Sequence, residues 1–303
     1  MKLSKYKNMV KQFGLSYTLK EIRYRFLLKL EKFSYSKRDR ETFKYIKKYY
    51  NNTNNYSEYY KPLKENLQSC IWTLWLQGID NAPPIVKACI NSIKKYSGGY
   101  EVIVLTEDTI HDYVTFPDFI IQKYKSGIIK STHFSDLLRT LLLINYGGIW
   151  MDATVFLTKP IPQNIISSDF FMFQSQLLKS EISPGSSWFI STQKNSPILI
   201  KVFELLLNYW KKHNYLIHYF LFHITVGLII NCDNEAKTIW QNMFYKNNSD
   251  PHFLQLKKLF CPFNQKMKDY IWDLSFVHKL TYKFSRNSPT ELSGTFYRYI
   301  LES

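Results

Sequence analysis

Cysteine is scarce in this chain of 303 residues, and acidic residues are outnumbered. The four cysteines, Cys70, Cys89, Cys232 and Cys261, form no CxxC pair. This spacing argues against a zinc knuckle and is typical of a reducing compartment. The chain has only 24 acidic residues and 40 basic ones, so its formal net charge is +16. A basic surface attracts nucleic acid, anionic lipid or diphosphate ligands, and charge alone does not choose among them.

Long hydrophobic runs are also missing. The basic N-terminus is not followed by the apolar core of a signal peptide. The best apolar stretch, 215–230, is interrupted by polar residues and is too short to span a bilayer, so we interpret it as a core helix. Neither GxGxxG nor GxxxxGK[ST] occurs, which leaves a dinucleotide fold or a P-loop without support. We expect a cytoplasmic protein, free or attached to the inner face of the cell membrane.

The composition that remains predicts a folded chain with two parts. Hydrophobic residues make up 45% and aromatic residues 17%, enough for one large α/β domain. Residues 1–63 are rich in Lys, Arg, Tyr and Asn and predict a basic, largely helical N-terminal extension, with a helix over 15–33. The main domain would cover 64–303. The basic helix suits either an anionic membrane surface or packing on the main domain.

The start of the main domain reads as a strand, a helix and a second strand. Residues 70–76 and 100–105 are apolar runs rich in β-forming residues, and Pro83 and Pro84 open a helix between them. This order and spacing predict a parallel βαβ unit. Further short strands over 155–157, 170–174 and 188–191 complete an α/β fold.

The stretch 131–156, STHFSDLLRTLLLINYGGIWMDATVF, organises the rest of the domain. Its apolar residues recur every three or four positions, which predicts a helix with Asp136 and Arg139 on the opposite, polar side. A double glycine ending at Gly148 stops the helix. A short buried strand then delivers Asp152 at its carboxyl end, where open α/β sheets bind their ligands.

Two carboxylates and a guanidinium in one crevice would suit a divalent cation, Mn²⁺ or Mg²⁺, together with a sugar diphosphate. The plainer alternative stays open. Asp136 and Arg139 could be only a surface ion pair, and Asp152 could only begin a turn.

The motifs SDLLR and YGGIWMDATV resemble the signature of the capsular polysaccharide synthesis proteins. These are bacterial glycosyltransferases related to the DXD-containing mannosyl- and galactosyltransferases of family 32 type and to the clostridial glucosylating toxins. The run IWTLWLQGIDNAPPIVKACINSI resembles the opening of the same family. The resemblance implies a GT-A-like mixed sheet flanked by helices, a nucleotide-sugar donor such as a UDP-sugar, and transfer with retention of configuration.

The resemblance also assigns residues to the donor. An aromatic residue after the first strand would stack on the nucleobase, which points to Trp75 and, as second choice, Trp72. Either tryptophan could instead belong to the core. Asp136 and Arg139 would hold hydroxyls of the donor sugar, with Gly148 close by.

The metal and the diphosphate are assigned less simply. The family at large carries Asp-x-Asp, whereas this chain has Asp152, Ala153 and Thr154, so Thr154 would be a weak metal ligand and the need for a metal is in doubt. Asp152 would face the ribose or bind the metal itself, or a lysine and a histidine could replace the metal. The run FVHKLTYK resembles a His and Lys pair of related GT-A transferases. This resemblance implies that His278 would bind the metal and Lys283 a phosphate, which would offset the charge of the leaving group. Two surface basic residues are the alternative.

The acceptor is implied only in outline. His218 and His223, in a run that also resembles the family, are candidates for the acceptor side, although core histidines are the commoner case. The acceptor would be a glycan or an undecaprenyl-diphosphate-linked precursor of a surface polysaccharide. Two other classes stay open: a nucleic-acid-binding protein, and a membrane-peripheral scaffold with an inactive transferase fold. No nucleic-acid motif is present, so we expect no nucleic-acid partner.

Overall fold

The computed structural model describes residues 2–29, 35–51, 54–65, 67, 70–174, 182–284 and 292–303. Side chains are described for all of these residues except 2–5, 23–29 and 35–36. The helices are α1 (Lys2–Lys29), α2 (Tyr35–Lys47), α3 (Pro84–Lys95), α4 (Asp118–Lys125), α5 (Ser131–Tyr146), α6 (Gln163–Ile166), α7 (Pro197–Lys212), α8 (Leu221–Cys232), α9 (Asn234–Asn242), α10 (Ser249–Phe253), α11 (Gln265–Leu274) and α12 (Phe296–Glu302). The strands are β1 (Cys70–Leu74), β2 (Glu101–Leu105), β3 (Gly148–Met151), β4 (Val155–Leu157), β5 (Phe170–Gln174), β6 (Gly185–Thr192) and β7 (Val277–Lys279).

A mixed sheet forms the centre of the molecule. Its strand order is β2-β1-β3-β6-β5, with β1 parallel to both β2 and β3, and β6 antiparallel to both β3 and β5. Strands covered on both faces are expected to be almost continuously apolar, and β1 and β5 are. The predicted α/β fold with a mixed sheet flanked by helices is confirmed.

Helix α5 lies inside the molecule rather than on its surface. It packs against β1 and β3 on one side and against α7 on the other. The alternative that Asp136 and Arg139 form only a surface ion pair is therefore wrong, because their exposed fractions are only 6% and 4%. Residues of α7 and α8 more than 60 positions later in the chain cover this face, including Leu206 and Phe222.

The double glycine after α5 is required by a close approach of two strands. Gly147 and Gly148 both have positive φ, at 68° and 88°. A Cβ on Gly148 would stand 2.3 Å from the carbonyl oxygen of Cys70, which no side chain tolerates. Glycine here lets β3 begin directly against β1.

Strands β4 and β7 form a separate two-stranded ladder rather than extending the main sheet. They are antiparallel, with Val155 opposite Lys279 and Phe156 opposite His278. The backbone N–H of Leu280 also donates to the carbonyl of Thr154 at 2.9 Å. This ladder brings the C-terminal part of the chain beside Asp152.

The N-terminal helices pack on the rest of the molecule. Met9 and Phe13 of α1 and Ile46 of α2 are buried in the same apolar core as the central sheet. Helix α1 has a break at Gly14. The helix predicted over 15–33 is present from there as far as Lys29, and 30–33 lie outside the described residues. The boundary between 63 and 64 stays a prediction. Within the described ranges, no helix combines the length and the apolarity needed to cross a bilayer.

Candidate functional site

A cavity of about 520 Å³ opens where β1 and β3 end. This is the edge of the sheet at which the sequence placed a ligand site. The walls come from the segment after β1, the start of α5, the turn after β3, and the segment 279–283. Side chains that line the cavity include Trp75, Gln77, Ser131, Thr132, Ser135, Arg139, Trp150, Asp152, Thr154, Tyr219, His252, Lys279, Tyr282 and Lys283.

Arg139 is fixed in the wall of this cavity by contacts with its neighbours. Its Nη1 donates to the carbonyl oxygen of Ser187 at 2.5 Å, and its Nη2 donates to Oγ of Ser135 at 2.7 Å. The guanidinium carbon lies 4.9 Å from the ring centroid of Trp150. A planar cation held in this way can present its remaining N–H groups in a fixed direction.

Asp152 lies between two cations. Its Oδ1 is 3.6 Å from Nη1 of Arg139 and accepts a hydrogen bond of 3.1 Å from Nε1 of Trp150. Its Oδ2 accepts from Nζ of Lys279 at 3.0 Å. Loss of hydration acts to raise the pKa of Asp152, but the charges of Lys279 and Arg139 and these hydrogen bonds hold the pKa at about 2. The carboxylate is therefore ionised at neutral pH.

Lys279 was not predicted as a site residue, yet it is central to the cavity. Its Nζ bridges the carboxylate of Asp152 and Oγ1 of Thr154, the latter at 2.5 Å. The available signal was the alternation of side chains along a strand. If His278 in a short strand faces the core, the next residue must face the opposite side.

His278 itself does not face the cavity, so its predicted role as a metal ligand is wrong. The ring is fully buried and lies 5.2 Å from the ring of Trp272 on the far side of the β4–β7 ladder. Neither ring nitrogen has a hydrogen-bond partner among the described residues. Burial lowers the pKa of His278 to about 3, so the ring is neutral.

The residues at the predicted metal position do not form a set of cation ligands. Among the residues described, no group of three or more His, Cys, Asp or Glu lies close enough together to hold a metal ion. Thr154 offers its hydroxyl oxygen to Lys279 rather than to an open position, and both oxygens of Asp152 face cations. The ammonium group of Lys279 contacts Asp152 and Thr154, two of the three residues predicted to bind the metal.

The two tryptophans of β1 and its end have different roles. Trp72 is fully buried, and its indole N–H donates to the carbonyl of Gly147 at 3.1 Å. Its predicted role in stacking on a nucleobase is therefore wrong. Trp75 lines the cavity, with its ring centroid 5.1 Å from that of Tyr282 and nearly perpendicular to it. The backbone N–H of Trp75 donates to the carbonyl oxygen of Leu105, the last residue of β2, at 2.9 Å, which fixes Trp75 beyond the end of β1.

Asp136 is close to the site but does not line it. Its Oδ1 lies 3.4 Å from Nη2 of Arg139, and its Oδ2 lies 3.5 Å from Nδ1 of His133. Asp136 therefore does not reach the space predicted for the donor sugar. The carboxylate of Asp136 instead contacts the guanidinium of Arg139 and helps to orient it toward the cavity.

Two further predicted donor contacts differ in outcome. Gly148 lies at the start of β3 and lines another cavity, at the opposite end of the strand from Asp152, so its predicted place beside the donor is wrong. Lys283 lines the main cavity and is exposed at its rim.

The two histidines predicted for the acceptor side lie outside the cavity. His218 is buried, and its Nε2 lies 3.1 Å from Oδ1 of Asp39 in α2. The backbone N–H of Phe220 donates to its Nδ1 at 3.0 Å. His218 is thus a buried histidine that contacts α2, as a core histidine does. His223 accepts a long bond of 3.4 Å from the N–H of Ser187.

Comparison with known proteins identifies the family. Residues 22–300 match the family profile described as capsular polysaccharide synthesis protein, so the chain belongs to this family. The family resemblance drawn from the sequence motifs is confirmed.

Individual relatives give more distant similarities. The O-glycosyltransferase braB of Annulohypoxylon truncatum is 26% identical in an alignment that covers 46% of this chain and 37% of braB. The O-glycosyltransferase PaGT of Phomopsis amygdali is 26% identical, over 55% of this chain and 48% of PaGT. The chain thus spans less than half the length of these two relatives. The solved structure of PaToxG Glycosyltransferase aligns with 67% of this chain and 83% of its own, at 18% identity and a TM-score of 0.38.

Proposed function

We propose that this protein is a glycosyltransferase, which moves a sugar from a nucleoside-diphosphate sugar, such as a UDP-sugar, to a hydroxyl of a glycan. The observation that carries the proposal is the cluster of Arg139, Asp152 and Lys279 in one cavity at the carboxyl edge of the sheet. Membership of the capsular polysaccharide synthesis family and the names of the relatives support the same activity.

The charge of the cavity suits a diphosphate. Among the described residues that line it, Asp152 supplies the only carboxylate, whereas Arg139, Lys279 and Lys283 are cationic. The first residues of α5 also lie at the cavity, including the hydroxyls of Ser131 and Thr132. The positive end of a helix of 16 residues adds to the attraction for an anion.

The aromatic side of the cavity suits a nucleobase. Trp75 and Tyr282 meet edge to face at the wall, and a base stacked on either ring would gain roughly 1–3 kcal/mol. The sugar of the donor would then lie toward Arg139 and Asp152. In this placement the two ends of a nucleotide sugar meet chemically matched surfaces.

The acceptor is proposed to be a glycan or an undecaprenyl-diphosphate-linked precursor at an anionic membrane. Leu15, Leu19 and Ile22 are exposed on one side of α1, at spacings that place them on one face of the helix. An apolar stripe on a chain with a formal charge of +16 suits the surface of a cytoplasmic leaflet. Flotation with phosphatidylglycerol vesicles tests this. Changing Leu15 and Leu19 to Glu should abolish flotation, whereas Leu256→Glu, at another exposed leucine, should not.

Incubation with a panel of UDP- and GDP-sugars tests the main proposal. Transfer to added glycans, or donor hydrolysis without an acceptor, is followed by mass spectrometry. We expect one donor to be consumed by the native protein and not by Asp152→Asn. Retention of configuration stays a prediction, which NMR of the first-formed product addresses. A failure to bind or consume any donor would favour the inactive scaffold.

A further inference from the structure

Lys279 occupies the position at which a divalent cation was expected. Its Nζ lies within hydrogen-bond distance of Asp152 and Thr154, the first and third residues of the Asp-Ala-Thr turn. Its side chain is 19% exposed, so the ammonium is partly buried yet reaches the cavity. The pairing of β7 with β4 holds the backbone of Lys279 beside the Asp-Ala-Thr turn, because the two strands are antiparallel and Val155 lies opposite Lys279.

We propose that Lys279 replaces the metal ion, and that its ammonium contacts the diphosphate of the donor and neutralises the leaving group without a divalent cation. This inference rests on the proposed function. In the reaction, the bond between the anomeric carbon and the diphosphate oxygen breaks, and its electron pair remains on the diphosphate. A new bond forms to the acceptor hydroxyl oxygen, whose proton is released to water. Negative charge therefore develops on the diphosphate, next to the ammonium.

The pairing of charges in the cavity gives a physical reason for Thr154, which takes the place of the second Asp in the Asp-x-Asp pattern. With Asp at position 154, two neighbouring carboxylates would face the diphosphate, and a dication would be needed to hold the three groups together. With Thr154, the turn carries a single carboxylate, and one ammonium both pairs with it and retains N–H capacity for a phosphate oxygen. Arg139 and Lys283 add further positive charge around the same space.

Binding of nucleoside diphosphates tests the inference. Titration calorimetry measures the affinity of the full chain for UDP, GDP and the corresponding sugars, in EDTA and with added Mn²⁺. We expect the affinity of the native protein to be the same in both buffers. Lys279→Met should weaken binding roughly 10- to 100-fold, as expected for a lost charge-assisted hydrogen bond, and Lys279→Arg should restore most of it. Lys159→Met, at an exposed lysine outside this cavity, is the matched control and should bind normally.

The possible results separate the two proposals. Binding that disappears in EDTA and returns with Mn²⁺ overturns the replacement of the metal by Lys279, but leaves the transferase proposal intact. Undiminished binding by Lys279→Met overturns the role of the lysine. If no nucleoside diphosphate or nucleotide sugar binds in either buffer, the proposed function fails and the inference fails with it. The comparison of buffers uses the native protein, so it remains decisive even if Lys279→Met does not fold.

Discussion

Nζ of Lys279 lies 3.0 Å from Oδ2 of Asp152, although 127 residues separate them in the chain. The contact joins the turn after β3 to β7, a strand of only three residues near the C-terminus. Both side chains are partly buried, at 19% and 29% exposure, so water screens their interaction less than it would on an open surface. This pair defines the charge that a ligand meets in the cavity.

Asp152→Asn should abolish sugar transfer while leaving the fold intact. The amide keeps the shape of the carboxylate and an oxygen for the N–H of Trp150, but it loses the charge shared by Arg139 and Lys279. We expect donor turnover to fall at least ~100-fold, a typical loss when one preorganised electrostatic contact is removed from an active site. The thermal midpoint should move by only a few degrees. Near-native turnover in this variant would remove Asp152 from the reaction.

Rebuilding the Asp-x-Asp pattern should create a dependence on metal. In the double variant Thr154→Asp with Lys279→Ala, two carboxylates would face the cavity, and the ammonium that bridges Asp152 and Thr154 in the native protein would be absent. We expect nucleoside-diphosphate binding to require Mn²⁺, because carboxylate oxygens with no competing ammonium are suitable ligands. Calorimetric titration with and without Mn²⁺ measures this. Lys279→Ala alone is the control and should bind weakly in both buffers; an equal response of the two variants to Mn²⁺ would contradict the prediction.

The two tryptophans should separate binding from stability. Trp75→Leu removes an aromatic wall of the cavity and should weaken UDP or GDP binding by roughly 5- to 100-fold, the range expected for one stacked base. Its thermal midpoint should change little. Trp72→Leu removes a fully buried ring and its hydrogen bond to Gly147. It should lower the free energy of unfolding by about 2–4 kcal/mol, by analogy with other large-to-small core changes. The opposite pattern would mean that the roles are reversed.

His278 should contribute to stability in a pH-dependent way without contributing to catalysis. The folded protein keeps this ring neutral down to a pKa of about 3, whereas the unfolded chain takes up a proton near its ordinary pKa of about 6.5. Between these values the unfolded state binds more protons, so stability falls as the pH is lowered below about 6.5. For this one group the slope approaches ~1.4 kcal/mol per pH unit.

Replacing His278 by Phe should therefore flatten the acid side of the stability profile. Phe keeps an aromatic ring against Trp272 and removes two buried nitrogens that have no partner in the described part of the chain. We expect a smaller fall of the thermal midpoint below neutral pH than in the native protein, with donor turnover unchanged at neutral pH. His111→Phe, at an exposed histidine, serves as the comparison. Lost turnover in a folded His278→Phe would return this histidine to the active site.

The amino-acid sequence determined the local elements and the edge of the sheet that carries the site. The apolar runs of β1 and β2, the proline at the start of α3 and the glycines after α5 act through neighbours a few residues away, so their effects can be read directly. The strand ending at Asp152 followed from the same local rules. The choice of Trp75 came from the family resemblance and not from these rules.

Only the tertiary structure decided which side chains reach the cavity. Asp136 is buried because α7 and α8, much later in the chain, cover a helix face that local periodicity marks as polar. Whether His278 or Lys279 faces Asp152 depends on the register of one three-residue strand, and a shift by a single position exchanges the two sides. Such contacts join distant parts of the chain, and the spacing of residues along a sequence does not specify them.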